Sequence, residues 1–324
     1  MSLENQTVAA DLLLLEALKV SPQSSVAAFL LLLLIYIFIL VSNVGLVVLI
    51  FCSRSLQQPM YLLLTNMCIN DVFGATVTVP HILGDLLAVS SQRYIRYVDC
   101  AVQAFCVHLH ASVSHTVLMI MAFDRYVAVC NPLRYAAVMT NRTVVKLSAA
   151  AWTSAFVLVA ILVGLSVRLT RCRWVVFNPF CDNASLFKLS CQSVLINNIY
   201  GLGYTVVLLG SSISSITLTY LRIAVVCLSR KNHALNRRAL QTCASHLTVY
   251  VIMMVSAFII VVLHRFPQLS EHRKVASVLG HITLPVLNAV IYGLQIKEVR
   301  QKIKAAINNL KINAKRFNNV DVNA

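Results

Sequence analysis

An acid and an arginine stand side by side in the run MAFDRYVAVCNPLRY, as Asp124-Arg125-Tyr126. They close an apolar stretch, Ala101–Phe123, that holds no Asp, Glu, Lys or Arg. Neither side chain is comfortable in a low-dielectric medium, and each can exchange its partner for another. Two readings are open for such a pair. It is an ordinary ion pair at a helix end, or a switch in which Asp124 holds Arg125 at rest and releases it to face a partner. Its position at the end of the third of seven apolar runs favours the switch.

Other residues could carry chemistry. Asp71 is a lone acid deep in the second run, where a carboxylate is costly and faces a polar interior. Asn43 and Asn288 are its expected neighbours, in a polar hub that could hold Na+ or serve as a satisfied hydrogen-bond node. His108, Ser112 and His115 recur at i, i+4 and i+7 and share a helix face, while His110 points elsewhere. They read either as bonded core groups or as a pocket wall. Arg265 follows the sixth run. It either snorkels to the interface or grips an anionic ligand, because its fork binds a carboxylate bidentately. No Ser/His/Asp set, HExxH, P-loop or GxSxG is present, so no enzyme is expected.

These groups must be positioned by helices in lipid. The chain is 59% hydrophobic and 12% charged, where a soluble domain carries about 25% charged residues. A bilayer core needs roughly 20 apolar residues per helix. Seven spans qualify, at about 26–52, 59–87, 98–127, 143–167, 193–222, 238–263 and 275–296. They are too long and uniform for barrel strands, and helices satisfy their own backbone. The predicted fold is an all-α membrane protein, a seven-transmembrane helix bundle. The predicted divisions are an extracellular N-terminus at 1–25, the membrane domain at 26–296, and a cytoplasmic amphipathic helix and tail at 297–324. In that tail Val299, Ile303, Ile307 and Leu310 fall at helical spacing between basic residues.

With the N-terminus outside, 17 of the 27 Lys and Arg lie on the cytoplasmic side, as the positive-inside rule requires. The net charge of +16 then suits anionic membrane lipid and a cytoplasmic partner, not nucleic acid. The apolar stretch Phe29–Leu40 lacks a basic leader and continues to Cys52, so it reads as a retained span. Asn5 and Asn183 begin glycosylation triplets on the outer side, and Asn141 begins one that faces the cytosol. Pro80 and Pro285 are the expected kinks. Of ten cysteines, Cys100, Cys172, Cys181 and Cys191 fall on the oxidising side. Spacing leaves all three of their pairings open.

With these residues in place, the chain resembles the odorant receptors of the rhodopsin-like G-protein-coupled class. The similarity runs from about Asn43 to Arg300. It rests on Pro59-Met60-Tyr61, Asp71, MAFDRYVAVCNPLRY, Thr219-Tyr220, Thr242-Cys243-Ala244-Ser245-His246, Pro285-Val286-Leu287-Asn288 and Ile291-Tyr292-Gly293. Phe123 in MAFDRY and His264-Arg265-Phe266 resemble the fish-like class I branch. The resemblance implies disulfides Cys100–Cys181 and Cys172–Cys191. It implies coupling to a stimulatory, olfactory-type G protein, with Arg125 meeting Tyr220 in the active state. Two departures stand out: Ala289 where the family has Pro, and Met253-Met254 where it has Phe-Tyr.

The function expected is an odorant-activated receptor at the plasma membrane that raises cyclic AMP. Its ligand is a small odorant, polar or carboxylate-bearing, with candidate contacts His108, Ser112, Met254, Phe258, Val261 and Arg265. The switch residues are Asp124, Arg125, Tyr126, Tyr220, Asn288 and Tyr292. An amine anchor is missing from the outer half of span three, and span seven has no lysine for a retinal Schiff base. The alternatives are a non-olfactory chemosensory receptor of the same fold, or a channel or transporter. A single intramembrane acid and the lack of an internal repeat count against the last.

Overall fold

Seven helices carry the apolar runs: Pro22–Cys52, Pro59–Leu87, Tyr97–Cys130, Asn141–Val167, Leu195–Ser229, His233–Leu263 and Ser270–Gln295. They are spans one to seven of a computed structural model that describes residues 11–16, 18, 20–87, 93–229, 233–263, 266–295 and 299–305. All seven are long and apolar enough to cross a membrane. Their large apolar side chains also point outward, with Leu31, Val41, Val206 and Val207 each more than 60% exposed. A surface of that kind suits lipid and not water. Span five runs on to Ser229 and span seven begins at Ser270, both past the apolar limits in the sequence. Polar turns at helix ends are stable where water or headgroups meet them.

Local sequence explains the starts. Ser21 caps span one by accepting from the Ser24 amide, and Thr140 caps span four by accepting from Thr143. Spans two and seven run through Pro80 and Pro285 without leaving the helix. Span three is the hub and packs on spans two, four, five and six. Its ends define the molecule: Cys100 sits at one and Arg125 near the other, roughly 37 Å apart along the axis. They are called here the disulfide end and the Arg125 end.

Between helices, polar groups find partners inside the protein, as lipid requires. Asn70 of span two donates to the His110 carbonyl at 3.0 Å and to Ser114 Oγ at 2.9 Å. His110 Nδ1 returns a bond to the Asn70 carbonyl at 3.0 Å. Asn66 donates to Ser148 Oγ at 3.1 Å and accepts from Trp152 Nε1 at 3.3 Å, tying span two to span four.

At the disulfide end lies a small sheet with no counterpart in the sequence reading. Strand β1 (Leu12–Leu15) lies between β2 (Arg93–Arg96) and β3 (Val175–Val176). It runs antiparallel to β2, with Leu12 opposite Arg96, and parallel to β3. Strand alternation turns Leu13 and Leu15 inward, onto Ile95, Tyr97 and Val176. Asp11 pairs with Arg171 at 3.1 Å, and Glu16 with Lys274 at the start of span seven at 3.2 Å. Past span seven, residues 299–305 are helical. Val299 is buried against the bundle and Ile303 packs beside it, while Arg300, Lys302 and Lys304 face outward.

The span two–three contact is tight at Gly74, where an added Cβ would lie 2.4 Å from His110 Nδ1, and open at Gly84, where nothing lies within 4 Å. Gly74→Ala is expected to destabilise the receptor by about 1–3 kcal/mol, seen as a lower thermal midpoint of the solubilised chain, with Gly84→Ala as the neutral control.

Candidate functional site

A cavity of about 510 Å³ opens at the disulfide end among spans three to seven. Its roof is the segment between spans four and five. Cys100–Cys181 pins that segment to span three, and Cys172–Cys191 closes its own loop. The other six cysteines form no disulfide. Gln103 Oε1 accepts from the Cys181 amide at 2.8 Å, which fixes the roof further. Beyond the disulfide a short helix, Asn183–Phe187, is capped by Asp182 and forms one wall.

The polar face predicted on span three is present, and all three members point toward neighbouring elements. His108 lines the cavity, and its Nε2 accepts from the Asn183 amide at 3.1 Å. Ser112 is bonded to Tyr204 of span five, itself a lining residue. His115 lies deeper, 3.2 Å from Ser212 Oγ, which in turn lies 2.9 Å from the Tyr250 hydroxyl. These three groups join spans three, five and six. His110 faces span two, with its ring 6.4 Å from that of His281 on span seven.

The remaining ligand candidates divide. Val261 lines the cavity. Met254 packs against the main core and does not line it, and its neighbour Met253 is buried there. Phe258 is 66% exposed and points off the bundle, which corrects its assignment as a contact. Span six is apolar around much of its circumference, so its sequence does not set its rotation. Arg265 lies outside the described residues, as does Asn5. Asn183 is buried, and its Oδ1 accepts from Ser166 Oγ at 2.7 Å, so it is not a surface glycosylation acceptor. Sequence reading missed Asn197, Tyr204 and Thr205 of span five, which line the cavity with Gly201. Their i, i+4, i+7, i+8 spacing was the available signal.

At the Arg125 end, Asp124 is buried and Arg125 folds back on it. Arg125 Nε donates to Asp124 Oδ2 at 2.9 Å, and Nη2 bonds to the same oxygen. Asp124 Oδ1 accepts from the Tyr135 hydroxyl at 2.9 Å. Tyr135 lies in the helical turn Tyr135–Val138, between spans three and four. Burial, then the charge of Asp124, pushes its hydroxyl up to about 12, so it keeps its proton and donates across the physiological range. Tyr126 and Tyr220 pack around Ile223, Cys227 and Cys243, and Tyr220 makes no hydrogen bond to Arg125 among the described residues. Arg125 is thus held by its own neighbour.

Between the cavity and the Arg125 end lies the polar cluster around Asp71. Asn288 Nδ2 donates to Asp71 Oδ2 at 2.8 Å. Asn43 Nδ2 donates to the Ile39 carbonyl at 2.9 Å and the Pro285 carbonyl at 3.4 Å, with no hydrogen bond to Asp71 among the described residues. Asp71 Oδ1, Asn43 Oδ1 and Asn288 Oδ1 are buried without a protein partner. Oxygen donors of this type fit a hard cation. The Tyr292 ring meets that of His246 edge-on at 5.4 Å, joining spans seven and six below that cluster.

The sequence pattern of the family described as "Olfactory receptor" matches residues 32–309. The chain belongs to the olfactory receptor family. It is 33% identical to human "Olfactory receptor 52N5" over 273 residues, 83% of this chain and 84% of that one. It is 32% identical to human "Olfactory receptor 2F1" over 306 residues, 93% and 94% of the two chains. It is 33% identical to human "Olfactory receptor 4E1" over 308 residues, 94% and 95%. Identity does not separate these relatives. The family is one of seven-helix receptors, not enzymes, and it gives the cavity and the Asp124–Arg125 pair their context as the two ends of a receptor.

Tyr135→Phe removes a hydrogen bond to a charged acceptor. It is expected to cost about 1.5–3 kcal/mol of stability, read as a lower thermal midpoint. This loss should be constant below about pH 10 and fade as the wild-type hydroxyl ionises near 12.

Proposed function

We propose that the chain is an odorant-activated receptor that couples to a heterotrimeric G protein of the stimulatory, olfactory type and raises cyclic AMP. The observation that carries this reading is that one helix, span three, supplies both a cavity wall and the ion pair at the far end. The disulfide end faces outside, which suits two disulfides and an inward excess of Lys and Arg. The receptor is multi-pass in the plasma membrane. The basic face of residues 299–305 lies along the anionic inner leaflet.

A small molecule enters from outside and settles under the pinned roof. It acts by binding the active arrangement more tightly than the resting one. To move a resting active fraction of 1% to 99%, it must favour the active state by about 5.5 kcal/mol. Opening spans five and six at the Arg125 end frees Arg125 from Asp124 to meet Tyr220, which packs with Tyr126 on the cluster around Cys243. Phe123 in MAFDRY supports the fish-like class I branch. A carboxylate ligand held by Arg265 gains no support from the described wall, because His108 Nε2 is occupied by the Asn183 amide.

Arg125→Ala is expected to abolish odorant-driven cyclic AMP in cells while surface staining stays near wild type. A full response from that variant would overturn the switch.

A further inference from the structure

The cavity wall has a hydrogen-bonding sense, and its direction can be worked out proton by proton. Ser112 has one hydroxyl hydrogen, and it donates to the His108 carbonyl at 2.7 Å. In its bond with Ser112, therefore, Tyr204 is the donor. The Tyr204 oxygen is left with lone pairs only. Thr205 Oγ1 donates to the Gly201 carbonyl at 2.8 Å, with the same result. His281 Nδ1 lies 2.7 Å from the Ser277 carbonyl, which can only accept. That nitrogen carries the hydrogen, and in the neutral ring Nε2 is a bare acceptor.

Asn197 completes the pattern. Ser166 donates its hydrogen to Asn183 Oδ1 at 2.7 Å, so Ser166 must accept from Asn197 Nδ2 at 3.0 Å. This fixes the orientation of the Asn197 amide. Its Oδ1 is left as a buried acceptor without a protein partner, on a residue 2% exposed. Asn197, Tyr204, Thr205 and His281 all line the cavity. Tyr204, Thr205 and His281 have committed their donor hydrogens to the protein, Asn197 has committed one of its two amide hydrogens, and all four retain acceptor capacity. Asp182, an acceptor by nature, and Lys188, a donor, lie on the same wall. Ser277 and Asn198 can still donate from the wall, but the built network points the other way.

We infer that the cavity selects odorants with an apolar body and a neutral hydrogen-bond-donating head, a hydroxyl in the first instance. This deepens the odorant-receptor reading and rests on it for the site. A carboxylate brings only acceptors, which the Tyr204, Thr205 and Asn197 oxygens and His281 Nε2 cannot answer. An ether or aldehyde leaves the acceptors without a donor. A site that hydrogen-bonds a hydroxyl rejects the analogue lacking it more strongly than an apolar pocket rejects a missing methylene.

The test uses the full-length receptor and a volatile library built as quartets on shared carbon skeletons. One such quartet is 1-octanol, octanal, 1-methoxyoctane and octanoate. Binding is read as thermal stabilisation of the solubilised receptor, and signalling as cyclic AMP in cells. The alcohol of a responding quartet is expected to be ten- to a hundredfold more potent than its ether or aldehyde, with the carboxylate weakest. Asn197→Leu and His281→Phe should each shrink that ratio, chiefly by weakening the alcohol. If Asn197→Leu fails to reach the surface, His281→Phe, which keeps an aromatic ring against Phe180, decides alone.

Equal potency of alcohol and ether overturns the inference, as does a carboxylate ranked first or an unchanged ratio in His281→Phe. In those outcomes the receptor reading still stands. Alcohol-selective stabilisation without cyclic AMP supports the inference and removes the coupling reading instead. Silence across every quartet in both assays removes both.

Discussion

Lipid offers no hydrogen bonds, so the charge on Arg125 has to be managed from within the protein. Asp124 accepts from its guanidinium, and Tyr135 occupies the other carboxylate oxygen. The pair is local in sequence and needs no distant element to form. Its proposed release works against the side chains packed at the Arg125 end: Tyr220 from span five and Cys243 from span six, with the His246–Tyr292 contact behind them. A bond made between chain neighbours is suited to the proposed switch.

Span three connects that bond to the cavity through a single polar face. His108 meets the roof, Ser112 meets Tyr204, and His115 meets Ser212 and through it Tyr250. Each bond crosses to another element, so the face acts as a row of staples and not as a solvated stripe. Met253 and Met254 flank this row on span six. Unbranched thioethers repack with little penalty, which suits a region where helices slide past one another.

Much of the architecture was legible in the residues because lipid imposes a plain rule. Seven long apolar runs with few charges leave seven helices as the only economical solution. The face of His108, Ser112 and His115 followed from helical period alone. The disulfide pairing came from family likeness, since four cysteines allow three arrangements. Phe258 failed because an almost uniformly apolar span six gives no signal of which side faces in. Asn183 failed because a glycosylation triplet says nothing about burial. Asn43 was placed at the right depth, yet its amide turned to the Pro285 carbonyl, a choice set by helix geometry and not by residue type. The small sheet was missed because its paired residues are 78 to 161 positions from Leu12–Leu15 in the chain.

That sheet has a consequence for how such receptors diverge. Its ladder is made by backbone groups, and Leu13 and Leu15 of β1 are anchored from below with Ile95 of β2 and Val176 of β3. The alternate positions, Leu12 and Leu14, face away from that anchorage and are half-buried. A polar side chain there would repaint the rim of the bundle while the backbone ladder keeps its register.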